Sequence, residues 1–305
     1  MSDTLKVIYI ASAGRSGSSI LDAILGEVDG FFSAGELRFL WQRSAEPGWL
    51  CSCGRPFAEC VVWGPLLKPE GVIDPAAVGD MADILLREQR VLRLSSIQRV
   101  YGQGAPSASP ALAALGAFYR SLQAVTGCTV IVDSSKQPLY ADLVAAIPGV
   151  EFHLIHFVRD PRAVAFSQQR RRIHPDTGKP MERLSLTASS ARWMAWNLAS
   201  ERLKARIPSQ LSFRYEDFAS APRRPVEKIL ALAGFSGQPL PFVDGHTVAL
   251  GVHHMVPGNP ARLGIGNVRV RQDEIWKTEM AATHKLYVTA LTWPLLRKYH
   301  YHLLT

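Results

Sequence analysis

Arginines, lysines and hydroxyls set in glycine-bearing loops are the residues of this chain best suited to chemistry, and the chemistry is that of anions. The first such loop is Gly14-Arg15-Ser16-Gly17-Ser18-Ser19. Gly14 and Gly17 let the backbone turn tightly and aim successive N–H groups into one concavity. Arg15 adds a planar fork suited to phosphate or sulfate oxygens, and Ser16, Ser18 and Ser19 add hydroxyl donors. The loop departs from the nucleoside-triphosphate pattern Gly-x-x-x-x-Gly-Lys-[Ser/Thr], because Ser18 stands where that lysine would be. A second group is Arg159, with Ser167 two helical turns further on. An arginine fork plus a hydroxyl is what a terminal phosphate monoester requires.

Each group needs an element to hold it. Val7–Ala11 is uncharged and apolar enough for a strand buried on both faces. Ile20, Leu21, Ile24 and Leu25 then recur at helical spacing, so the first loop ends at a helix N-terminus, where unpaired N–H groups favour anions. Thr129–Asp133, Phe152–Val158 and Leu211–Tyr215 read as three more strands. Asp160 can cap the helix after the third strand, with Pro161 in its first turn. Residues 29–38 read as a loop entering a helix near Glu36, and 76–101, 111–125, 186–206 and 222–233 as helices. The tail from about 272 to 299 reads as largely helical, broken or kinked near Pro294. Residues 170–184, with four arginines, Pro175, Gly178 and Pro180, suggest a mobile basic loop.

Strands alternating with helices imply an α/β fold of three layers, a mainly parallel central sheet with helices on both faces. Loops after parallel strands gather on the sheet's carboxyl edge. That topology brings Arg15, Lys136, Arg159 and Tyr215 to one composite anion site. The 305 residues suit a single domain over 1–305, with a helical and irregular insertion at about 40–125 that shapes a substrate pocket.

Gly14–Ser19 resembles the 5′-phosphosulfate loop of sulfotransferases that use 3′-phosphoadenosine 5′-phosphosulfate (PAPS), most closely the carbohydrate-type and bacterial branches. The stretch Phe157–Ser167 resembles the family's 3′-phosphate motif, whose strand-end arginine and following-helix serine match Arg159 and Ser167. Asp133-Ser-Ser-Lys136-Gln-Pro138 resembles the Lys-x-Pro step of carbohydrate sulfotransferases, although some relatives carry a glutamate where this chain has Asp-Ser-Ser. Tyr215-Glu-Asp217 looks like a segment whose tyrosine contacts the adenine. Residues 258–266 resemble a C-terminal loop in which Arg262 and Gly264 would close over the 3′-phosphate, with altered spacing. The resemblance covers 5–36, 128–170 and 210–270.

The resemblance implies a P-loop nucleoside triphosphate hydrolase-like sulfotransferase fold. It also implies transfer of a sulfuryl group from PAPS to a hydroxyl of a small-molecule, glycan or glycolipid acceptor. Arg15 and Lys136 would be catalytic, stabilising the transferring group and the leaving oxygen. Glu36, which stands where many relatives offer a glutamate after the first helix, would be the base. His253 and His254 read as substrate or structural residues. Gly14, Arg15, Ser16, Gly17, Ser18, Ser19, Arg159, Ser167, Tyr215, Arg262 and Gly264 would bind the donor, and fixed positive groups would replace a metal. A P-loop-type small-molecule kinase and a basic nucleic-acid-binding protein are the rival readings.

The net charge of +8 favours an anionic partner without choosing among nucleic acid, membrane surface and nucleotide. No apolar run reaches the ~18 residues of a spanning helix, and the start lacks a signal-peptide pattern, so a cytoplasmic protein is expected. Four cysteines fit a reducing compartment. Cys51, Cys53 and Cys60 cluster, but a zinc site wants four ligands and no histidine lies near them in sequence. A structural role or a redox pair is the reading, and no metal is expected.

Overall fold

Alternation sorts the strands' side chains between two cores. In the computed structural model, which describes residues 4–67, 110–258 and 264–303, the first strand is β1 (Leu5–Ala11). Its Val7 and Tyr9 join one apolar cluster, while Ile8 and Ile10 join the other. β3 (Val130–Lys136) and β4 (Val150–Val158) divide in the same way, with Ile131 and Leu154 on the first side and Val132 and Ile155 on the second. With β2 (Phe31–Gly35) and β5 (Gln210–Arg214) they form a five-stranded sheet of order β2-β3-β1-β4-β5, every pair parallel.

Helices cover both faces. On one side lie α1 (Ser18–Gly26), α8 (Tyr215–Ser220) and α9 (Arg223–Leu232), through Leu21, Phe218 and Ile229. On the other lie α3 (Trp63–Leu67), α4 (Pro110–Thr126) and α5 (Pro138–Ala145), through Trp63, Phe118 and Tyr140. α2 (Leu40–Ala45), α6 (Pro161–Gln169) and α7 (Leu186–Lys204) border the carboxyl edge. α10 (Ile275–Glu279) and α11 (Ala282–Lys298) pack beside α6, with Trp276 and Val288 against Ala163 and Ala165. A small antiparallel pair, β6 (Thr247–Leu250) and β7 (Gly266–Arg269), completes the chain. Among the described residues no helix is long and apolar enough to cross a membrane.

Several expectations change. Residues 31–35 form an edge strand instead of a loop, and Glu36 enters a single 3-10 turn (Leu37–Phe39) ahead of α2. The tail breaks at Met280–Ala281, and α11 runs on through Pro294. Residues 170–184 form a cross-bonded turn, in which Met181 N donates to Arg172 O and His174 N to Lys179 O, both at 2.9 Å. The expected helix over 76–101 lies outside the described residues.

Connections leave β1 and β4 in opposite directions, to β2 on one side and to β5 on the other. A crevice therefore opens at the carboxyl ends of these neighbouring strands, where open α/β sheets bind ligands.

Candidate active site

The crevice is lined by two backbone segments that only unusual geometry can supply. After β1 the chain turns through Arg15 and Gly17, with φ of 66° and 84°, before α1 starts at Ser18. Gly17 is obligatory twice over: its φ is left-handed, and a Cβ there would sit 2.7 Å from the Tyr215 ring. α1 has no side-chain cap. Its first N–H groups are thus open to an anion, beside a Ser18 hydroxyl that is 2 % exposed and has no protein partner.

The second segment is the end of β3. Lys136 closes this strand with φ 70°, and the register slips on both sides of it, between Tyr9 and Ala11 on β1 and between Ser33 and Gly35 on β2. Such slips redirect side chains at a strand's end. Here they bring Lys136 Nζ into hydrogen-bonded ion-pair contact with Glu36 Oε1, both groups almost fully buried. Arg38 stands 3.8 Å from the other Glu36 oxygen. It is fixed by its Nε donating to Ser135 O at 2.9 Å and by stacking on Phe39. Burial would raise the Glu36 pKa, but Lys136, Arg38 and Arg43 outweigh it and hold the carboxyl below its ordinary value. Burial lowers the Lys136 pKa against the pull of Glu36.

Gly14 through Ser19, Glu36 and Lys136 all line one cavity of about 290 Å³, at the lower end of the range for ligand pockets. The cavity's remaining wall includes Arg38, Arg43, Arg192, Phe39 and Trp196. Arg38 and Arg43 were missed by sequence reasoning. The available signal was their position within one helical turn or two of Glu36.

Arg159, Ser167 and Tyr215 are not part of that wall. Arg159 lies behind the loop, donating through Nη1 to Arg15 O at 2.8 Å and through Nη2 to Asp273 Oδ2 at 3.1 Å. Its guanidinium stacks 4.4 Å from the Tyr215 ring centre, and its buried Nε has no partner. Tyr215 OH donates to Arg271 O at 3.0 Å. Ser167 is buried on α6, whose next residue, Gln168, does reach the cavity. Asp160 caps that helix as expected, accepting from Arg162 N at 2.8 Å. Gly264 is exposed with open space around it, and Arg262 lies outside the described residues.

A strap closes the far side. Val256 bridges to Gly35: its N–H donates to Ala34 O at 2.8 Å and its carbonyl accepts from Glu36 N at 2.9 Å. Two residues on, Gly258 lies so near the Glu36 carboxylate that any Cβ there would fall on it. The base candidate is held from both sides.

The chain shares its fold with the sulfotransferase domain from the curacin biosynthetic pathway, at 20% identity and a TM-score of 0.56 over 100% of both chains. It is also similar to a sulfotransferase from Alicyclobacillus acidocaldarius, at 13% identity and a TM-score of 0.45, covering 97% of this chain and 96% of that one. Sulfotransferase STF1 from Mycobacterium tuberculosis H37Rv matches at 12% identity and a TM-score of 0.41, covering 76% of this chain and 68% of that one. No family profile matches the sequence, and no curated protein does.

Proposed function

We propose that this protein is a sulfotransferase that moves a sulfuryl group from PAPS to the hydroxyl of a small-molecule, glycan or glycolipid acceptor. One observation carries the reading. A Gly/Ser loop that lacks the nucleotide-binding lysine shares a cavity with a buried Glu36–Lys136 pair aimed across it. The shared fold with a sulfotransferase domain supports it.

In this reading the 5′-phosphosulfate lies on the N–H groups of residues 14–19, with Arg15 and the Ser18 hydroxyl as further donors. The acceptor oxygen forms a bond to sulfur as the bond from sulfur to the bridging oxygen of the phosphosulfate breaks. The acceptor's proton passes to Glu36, and adenosine 3′,5′-bisphosphate leaves. Lys136 turns from Glu36 to the bridging oxygen and offsets the charge that develops there. That turn also removes the nearest cation from Glu36, so burial raises its pKa when a base is needed. Arg159, Ser167, Arg262 and Gly264 serve the 3′-phosphate and Tyr215 the adenine, as the family resemblance implies. Arg159 would exchange its bond to Asp273 for that phosphate.

Calorimetric titration with adenosine 3′,5′-bisphosphate, ATP and 5′-AMP tests the donor site. Tight bisphosphate binding without added metal, absent for AMP and lost in Arg159→Ala, is expected. A preference for magnesium-ATP would overturn the reading in favour of a kinase.

A further inference from the structure

One cluster of reactive side chains has no part in the proposed transfer. Cys51, Cys53 and Cys60 lie on the loop between α2 and α3, and His254 comes from the strap, 194 residues beyond Cys60. Their four ligand atoms lie within 4.8 Å of one another. Cys60 Sγ is 3.6 Å from Cys51 Sγ, 4.0 Å from Cys53 Sγ and 3.2 Å from His254 Nδ1. A tetrahedral zinc ion, with bonds of ~2.3 Å to sulfur and ~2.0 Å to nitrogen, sets edges of roughly 3.8 Å between sulfurs and roughly 3.5 Å from sulfur to nitrogen. The observed spacings straddle those values. They are far from the ~2.05 Å of a disulfide, and all three cysteines are free thiols.

We propose that Cys51, Cys53, Cys60 and His254 bind one structural zinc ion, which fastens the strap behind Glu36 to the cysteine loop. Three thiolates and an imidazole form a soft, closed, four-ligand set of the kind that holds zinc structurally and leaves no position for catalysis. Binding releases the three thiol protons as the sulfurs become ligands. The surroundings are built to the same end. Gly54, with φ 90°, allows the turn that returns Gly54 N to Cys51 O at 2.8 Å. Ser52 Oγ accepts from Met255 N at 2.8 Å and donates to His253 O at 2.7 Å, while Trp63 Nε1 donates to His254 O at 2.7 Å. The ion would thus secure a segment whose next residues bond Glu36 N and press on its carboxylate. This inference does not depend on the sulfotransferase reading.

The test is metal content of the full chain, purified without a histidine tag from zinc-replete culture. About one zinc per chain is expected, lost in Cys53→Ser and in His254→Ala but retained in His254→Cys. Cobalt(II) added to the stripped protein should give thiolate charge-transfer bands and the intense d–d bands of a tetrahedral site. Should His254→Ala fail to fold, the wild-type zinc content and cobalt spectrum, together with retention in His254→Cys, still decide the matter. A wild type without zinc, zinc retained in both Cys53→Ser and His254→Ala, or a disulfide between Cys51 and Cys60 found by mass would each overturn the proposal.

Discussion

Lys136 and Glu36 neutralise each other in the resting site, and this makes their separate roles measurable. Removing the ammonium while keeping its stem, as Lys136→Met, takes away the charge that would meet the leaving oxygen in the proposed transfer. A loss in kcat of about 10²–10³ is expected, the usual effect of deleting one such donor. The same change alters the pH dependence of what activity remains. In the wild type the Glu36 pKa is depressed, so the ionised carboxylate persists down to acidic pH and is lost only as pH falls through that low value. Without Lys136 the opposing burial weighs more, the pKa rises, and the acid limb of kcat/KM should move to higher pH. An acid limb that stays in place would show that Glu36 is not the group being titrated. Glu36→Gln should abolish the limb and lower kcat by about 10²–10⁴, the range of general-base catalysis. Both residues were singled out in the sequence by the family resemblance, and Lys136 also by its place after a strand. Their pairing was not, since it joins positions 36 and 136 through two register slips that leave no mark on local pattern.

At the scale of elements, the loop–helix junction and the strap confine the site by close approach of backbone. Gly17→Ala places a methyl against the Tyr215 ring in a left-handed conformation that costs about 1–3 kcal/mol to hold. Bisphosphate affinity should fall roughly 10- to 100-fold, with an unchanged far-UV circular dichroism spectrum. Equal affinity in the variant would mean that the loop does not contact the donor. Gly258→Ala, by contrast, displaces the Glu36 carboxylate, so it should lower kcat while leaving bisphosphate binding intact. The strand that carries the Gly14–Ser19 loop was readable because it is buried on both faces and therefore almost continuously apolar. β2 was not, because five residues with two glycine-bounded ends and no β-branched side chain, Phe31-Phe-Ser-Ala-Gly35, look like a turn. Its pairing comes from β3 on one edge and the strap on the other. Cys51, Cys53 and Cys60 were legible as a cluster, but the fourth group, His254, was not, because it arrives by tertiary contact.

Across the whole molecule, the anion loop stands on buried carboxylates that tie several elements together. Asp22 of α1 accepts from Ser33 of β2 at 2.6 Å and from Ser134 of β3 at 2.5 Å. Burial, only partly offset by those two hydroxyls, pushes its pKa up to about 7. Asp133, held by Tyr119 at 2.5 Å and by Ser135 N at 2.8 Å, is pushed up to about 6 in the same way. Between the ordinary carboxylate value near 4 and these raised values, the native protein keeps protons that the unfolded chain has lost. Each group's contribution to stability is therefore complete below pH ~4 and falls as pH rises through the native value. A depressed histidine works the other way: burial lowers the pKa of His153, so its contribution is complete above the unfolded value of about 6.5 and is lost as pH falls toward the native value. The raw pH profile mixes the two. Asp22→Asn isolates one, because an amide matches the protonated acid and never ionises. At pH 5 the variant and the wild type should melt close together, and by pH 8 the variant should be the more stable by a few degrees, since only the wild type then carries a buried charge. Thermal melts at half-unit steps of pH measure the difference directly. A difference that does not change from pH 5 to 8 would mean that Asp22 is ionised throughout, with the two serines sufficient to solvate it.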